Sequence, residues 1–390
     1  MKLPILPSIL TVFILLHAAC GTQQNNESER KSFELVVFDS LTFEHLGPYN
    51  LLDYHKDKGL YLFSAKLLEG TYYLVNDAGE VVAENSLADG PNGFGMVLHR
   101  AGFVGDEVVL VGTNRVFVYD LQLVRRRDYP FEQEVRFRLI HAVRDYLATY
   151  QLDGKEWPLV NISEQILPRY PVDYFDTLNL VHLMDVQTGE VRKGGKLDAQ
   201  SAFMQGQLSP WNDKPVYFSD RESDLISVVL FGDSVLYQVD PRRSFSTANR
   251  ISLPRPQPDE WHGIPMADAT MENVQAGRRK SVLSGTFFNM MGKGNAFLLA
   301  YKTGGNGMLL SEEMDNEARR KFQESRKVFY IPVRDGEVQG HPIAWDKPGD
   351  LVLGVGENRY IQYATDQAVL HDYEKDYQCF YIFELREKHP

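Results

Sequence analysis

Apolar residues in this chain come in short runs broken by turn-formers, the pattern of strands and not of helices. LYLFSA at 60–65, TYYLV at 71–75 and VVAENSL at 81–87 follow one another, with Asn76 to Glu80 as the break between the last two. β-Branched and aromatic runs of this length, bounded by Gly, Asn and Asp, predict strands joined as a meander. VVLVG at 108–112, VFVYD at 116–120 and LQLVRRRDY at 121–129 repeat the arrangement. Comparable groups begin at RFRLIHA (136–142), VYFS (216–219), SVLSGTFF (281–288) and DLVLGV (350–355), so that six units are predicted.

A four-stranded sheet has two apolar faces and cannot bury both alone. Packing successive sheets radially around an axis buries them, and repeats of this size each suit one blade of a β-propeller. The expected fold is therefore all-β, a six-bladed propeller, with a sandwich of seven or more strands as the structural alternative. The last unit shows only three strands, and FELVVFDS at 33–40 has no partner near it in sequence. This N-terminal strand is expected to close the last blade.

In a propeller, the connections from second to third strand and from blade to blade emerge on one face. The long connections, at 152–178, 197–215, 253–280 and 302–327, all fall there. Such lengths in a compact domain point to function or to disorder. SEEMDNEARRKFQES, from Ser311 to Ser325, predicts a short helix in one of them, with Ser311 as N-cap and acidic residues in the first turn. The tryptophans Trp157, Trp211, Trp261 and Trp345 also fall in the connections, the last two with His262 and His341 nearby. An indole offers a flat apolar face with one N–H donor, suited to stacking on a sugar or aromatic ligand, and also to wedging between blades, the commoner role for any single tryptophan. These six residues are the candidate ligand-binding set.

Composition adds 22 Phe and 20 Tyr, in keeping with strands, and a formal net charge of −12, which argues against nucleic acid and against charge-driven docking on anionic lipid. The N-terminus has its own logic. Lys2, the apolar stretch Ile9 to Leu16 and the small pair Ala18–Ala19 make a signal peptide, too short for a membrane span. Cys20 follows directly, placed as in a bacterial lipobox, so the expected organisation is a signal peptide at 1–19, a lipidated tether at 20–31 and a single propeller domain at 32–390. The membrane is then a partner through that lipid, and the expected location is the bacterial cell envelope, on the outer membrane, periplasmic or surface side. With Cys20 acylated no disulfide is possible, and Cys379, in CFYIFEL, reads as a buried core thiol.

The lipobox-like start, LADGPNGFG (Leu87 to Gly95), which is similar to a GPGE-type turn near the first blade, and closing strands such as LYQVD (236–240) give the chain a family likeness. It resembles the TolB-like six-bladed propeller lipoproteins of bacteria. The resemblance implies a fold and an envelope location and carries over no catalytic residue.

No HExxH, GxSxG, Walker or CxxC motif is present, and no catalytic residue, metal ligand or cofactor is assigned. GKGNAF (292–297) and GGNG (304–307) read as strand turns. SDRESD, with Asp220, Arg221, Glu222 and Asp224, reads as a solvated hairpin, and the basic runs at 125–127 and 278–280 as charged strand edges. Two functions remain: a non-catalytic envelope module that binds a glycan, peptide or protein through the loop-rich face, which is preferred, and a hydrolase or lyase acting in the central funnel. Two titratable groups within hydrogen-bond reach in that funnel would favour the second.

Overall fold

The computed structural model describes residues 31–43, 49–65, 70–86, 90–94, 98–112, 115–130, 145–160, 173–208, 215–256, 263–309, 315–363 and 377–388. Their strands form six blades around one axis. Blade 1 runs from axis to rim through Tyr49–His55, Leu60–Ala65, Thr71–Asn76 and Val81–Ser86, all antiparallel neighbours. Blade 4 (215–252) has the same simple meander, and blade 5 (286–345) divides its outermost strand into two short pieces. In blade 2 (98–130) the pair Asp145–Tyr146 adds a fifth strand on the axial side, parallel to Arg100–Ala101.

Blade 3 is split. Its two hairpins, Thr149–Leu152 with Lys155–Pro158 and Val181–Met184 with Val191–Gly194, are joined by a bridge between Leu159 and Leu183 and by Val160 N–H donating to the His182 carbonyl at 2.9 Å. The third blade therefore begins at Thr149, later than the sequence pattern suggests, and RFRLIHA lies outside the described residues. Asp153 and Gly154, both with positive φ, form the tight turn that the pattern absorbed into a long connection.

Ring closure follows the expected route. Phe33–Phe43 pairs antiparallel with Gln378–Glu387 along its whole length, with one bulge between Val37 and Asp39, and becomes the outer strand of blade 6. Phe43 is fully buried, stacked on Phe63 at 5.2 Å and edge-on to Tyr49 at 5.1 Å, so the closing strand is also part of the core between blades 6 and 1. Cys379 is buried on this strand pair.

Local corrections have local causes. The stretch 121–124 is a turn and not a strand, because the Asp120 carboxylate accepts the Gln122 and Val124 N–H groups at 2.9 Å; the strand starts at Arg125. The helix of the fifth blade's long connection spans Asn316–Glu324, and its cap is Asp315, whose side chain accepts from Ala318 N–H at 2.7 Å, in place of Ser311. Phe322 buries the helix against Gly305. The basic residues 278–280 lie in a second helix, Met271–Ser281, and not on a strand. On the same loop-rich face, Gln207–Leu208 pairs with Ile264–Pro265, tying together the connections before and after blade 4.

Truncating the closing seam should unfold the ring. Phe43→Ala removes a fully buried aromatic and is expected to cost about 3–5 kcal/mol in chemical unfolding, whereas Phe38→Ala, on the exposed side of the same strand, should cost under about 1 kcal/mol.

Candidate functional site

The first strands of the blades run side by side toward one face, and their turns into the second strands ring the axis there. They enclose a cavity of about 360 Å³ to which every blade contributes. It opens among the short turns, on the face opposite the long connections. Two close approaches shape it. Gly354 of blade 6 lies against Gly292 of blade 5, where a Cβ would come within 2.7 Å of backbone, and a Cβ on Gly102 would sit 2.7 Å from the Asp53 carboxylate.

Asp53 stands at the inner end. A register shift between Leu51 and Asp53 turns its carboxylate from blade 1 toward blade 2, where Oδ2 accepts Phe103 N–H at 2.6 Å while Oδ1 accepts Tyr54 N–H at 2.8 Å. Burial pushes this carboxyl up to about 7, with the Glu156 charge adding to the rise and the two N–H donors opposing it. The Tyr146 phenol is driven well above its ordinary range by the same burial and by Asp53, Asp220 and Glu156 around it.

The mouth is more charged and more fully paired. His55 Nε2 lies 3.2 Å from Asp106 Oδ1, its ring edge-on to Phe103 at 5.1 Å, and Lys58 reaches the other Asp106 oxygen at 3.5 Å. Arg221 of blade 4 meets Asp57 of blade 1 at 2.7 Å, an ion pair spanning opposite sides of the ring. Arg221 holds the Asp57 carboxyl below the ordinary carboxylate range. Lys293 of blade 5 pairs with Glu222 of blade 4 at 3.0 Å.

The SDRESD turn is therefore more than a solvated hairpin. Asp220 accepts Gly294 N–H at 2.9 Å, Ser223 Oγ donates to the Gly294 carbonyl at 2.8 Å, and Asp224 accepts from the Asn295 amide at 3.0 Å. These bonds lock blade 4 to blade 5, and Arg221 and Glu222 are left facing the cavity.

The sequence-predicted residues lie elsewhere. Trp157 belongs to the second strand of blade 3 and not to a loop; it is 2% exposed, its N–H donates to the Leu152 carbonyl at 3.2 Å, and the Arg192 guanidinium lies 4.8 Å from the ring centre. That indole is core, with no face free for a ligand. Trp345 sits on the outer edge of blade 5, edge-on to Tyr330 at 5.4 Å and to Phe383 of blade 6 at 5.1 Å, its N–H given to the Gly349 carbonyl at 2.6 Å. It seals two blades. His341 is exposed beside the start of the closing strand, its backbone N–H on the Lys31 carbonyl at 3.3 Å. Trp211, Trp261 and His262 lie outside the described residues, as do Cys20 and the tether up to Arg30. None of the three described candidates lines the cavity.

Sequence reading missed Asp53, His55, Lys56, Glu156, Arg221 and Lys293. A signal was present: the turns between first and second strands include HKDK (55–58), GDE (105–107) and SDRESD (219–224), charged where a propeller's axis opens. Among the described residues, no three His, Cys, Asp or Glu side chains gather to hold a metal.

No family model matches the sequence, and no curated protein resembles it. Among solved structures, a member of the DUF4221 family from Bacteroides vulgatus is similar at a TM-score of 0.64 and 12% identity, over 92% of this chain and 100% of that one. An exported-protein candidate from Bacteroides fragilis gives a TM-score of 0.49 at 12% identity, over 92% and 96%. The first likeness is one of fold. This chain is a β-propeller.

Asp53 should leave a signature in the pH dependence of stability. The folded carboxyl keeps its proton to about pH 7, against an ordinary value of 3.8, so the native state binds more protons in that window and its contribution falls as pH rises through it. Asp53→Asn removes this term. The variant should gain on the wild type from pH 4 to pH 7 and then level off, by an amount on the order of 4 kcal/mol, in urea unfolding at pH 4.5, 6 and 8. A difference constant with pH would show Asp53 ionised throughout.

Proposed function

We propose that the protein is a cell-envelope lipoprotein of bacteria, held through a lipid on Cys20, whose propeller is a non-catalytic binding module. Its ligand, the end of a glycan or a peptide, or a protein segment, sits in the axial cavity. The observation that carries this reading is the cavity itself, a space on the axis formed by all six blades, with both charged and apolar side chains in its wall. The signal-like N-terminus and the resemblance to TolB-like propeller lipoproteins support the envelope location, and a formal net charge of −12 speaks against nucleic acid. The loop-rich face, to which sequence reasoning gave the ligand, keeps Trp211, Trp261 and His262 as its candidate residues.

One observation favours a second reading, a hydrolase or lyase in the funnel. His55 and Asp106 stand within hydrogen-bond reach at the cavity wall, the arrangement a general base and its orienting carboxylate require. Binding is preferred because several of the other titratable groups are committed elsewhere: both Asp53 oxygens accept backbone N–H groups, and Arg221 and Lys293 are ion-paired.

Calorimetric titration of the full chain with a panel of oligosaccharides and peptides tests the assignment. Val355→Trp, which fills the cavity, should abolish any saturable binding, and Trp261→Ala should leave it within about twofold. The reverse pattern would return the ligand to the loop face. Product formation lost in His55→Gln would establish the enzyme. For the anchor, Cys20→Ser should prevent incorporation of radiolabelled fatty acid into the protein.

A further inference from the structure

Arg100 of blade 2 is only 7% exposed, and its guanidinium lies 5.0 Å from the ring centre of Tyr217 in blade 4. Blade 3 does not separate the two, because its first strand starts only at Thr149, whose N–H reaches the Ser219 carbonyl just past the blade 4 strand. Among the described residues the guanidinium makes no hydrogen bond and no ion pair. Arginine cannot shed its charge, and burying that charge without a counter-charge costs more than stacking on one ring offsets.

The wall beside it is aliphatic. From Arg100 onward its strand is in regular register, so Arg100, Gly102 and Val104 share a face with Val111 and Val109 of the next strand. Val104, Val109 and Val111 belong to a buried cluster with Leu147 and Met184, between blades 2 and 3. Arg100 thus stands as a cation at the end of an apolar face. Asp53, whose carboxylate approaches the same strand at Gly102, keeps both oxygens on backbone N–H groups and forms no ion pair with Arg100. Asp145 is the register neighbour of Arg100 on the added parallel strand.

The position is distinct from the axial cavity. First strands run from the loop-rich face toward the short turns, and Arg100 and Tyr217 precede Phe103 and Phe218, the residues of those strands that reach the cavity wall. Neither Arg100 nor Tyr217 lines it. Stacking on Tyr217 leaves the edges of the planar guanidinium for acceptors in its plane, the geometry in which a carboxylate is held by two parallel bonds. One guanidinium matches one negative charge, the aliphatic wall matches an apolar body in place of sugar hydroxyls, and the narrow exposure suits a small one.

We propose that Arg100, stacked on Tyr217, is a binding site for a small aliphatic monocarboxylate on the loop-rich side of the axial cavity. This site is additional to the cavity reading and does not rest on it.

The test follows the carboxyl resonance of isotope-labelled propionate titrated with the full chain in nonionic detergent at pH 7.5. One saturable site is expected, and propionamide, of the same shape without the charge, should compete at least tenfold more weakly. Arg100→Gln should weaken propionate at least tenfold and melt no lower than the wild type, since it removes a charge that the fold leaves unpaired. Val355→Trp, which fills the cavity, should leave propionate binding within twofold, so this site and the cavity reading fail separately. Absence of saturable binding, equal binding of propionamide, or propionate binding retained in Arg100→Gln overturns the proposal. So does a lower melting temperature in both Arg100→Gln and Asp145→Asn with no further drop in the double variant, because Arg100 then has its counter-charge within the chain.

Discussion

The pairing of the first described strand with the last is the interaction on which this molecule depends. Each blade buries its faces only against neighbours, so an open ring would leave two apolar faces in water, one on blade 1 and one on blade 6. Phe33–Phe43 prevents this by hydrogen bonding along Gln378–Glu387 and by carrying Leu41 and Phe43 into the core shared with Tyr49, Phe63 and Phe380. Because the contact joins the two ends of the chain, it is also the most non-local pairing in the fold, and the entropy of closing that loop is offset only once the ring is complete.

Closure has a second consequence at the axis. Six first strands brought together leave a space that side chains do not fill, and the residues bordering it face both a low-dielectric wall and water. Asp53 shows the trade-off. Its carboxylate secures blade 1 to blade 2 through Phe103 N–H, yet burial beside Glu156 makes its ionised form costly. Farther out, Arg221 with Asp57 and Lys293 with Glu222 are partly solvated pairs that each join two blades. The same side chains therefore hold the blades in register and give the cavity its chemistry.

The two faces of the propeller also divide the labour of the chain. Long connections, with the helices Met271–Ser281 and Asn316–Glu324, build up the loop-rich face, where Gln207–Leu208 and Ile264–Pro265 tie two of them together. Short turns frame the cavity on the other. The strand that closes the ring starts on the short-turn side, so the topology of closure and the position of the cavity mouth are linked.

Alternating apolar runs and turn residues were sufficient to read an all-β chain, its grouping into blades, and the spare strand at 33–40, because these follow from local periodicity and from the count of unsatisfied edges. The buried fate of Cys379 was legible for the same reason. Trp157 and Trp345 were not: a tryptophan beside Pro or Asp looks the same whether it faces a ligand or a neighbouring blade, and only the packing against Arg192, Tyr330 and Phe383 separates the two. The cavity was hidden more deeply. Asp53, His55, Glu156, Arg221 and Lys293 come from four blades spread over 241 positions of sequence, and no spacing rule connects them. Their charges were visible in the turns; their convergence on one axis exists only because the ring closes.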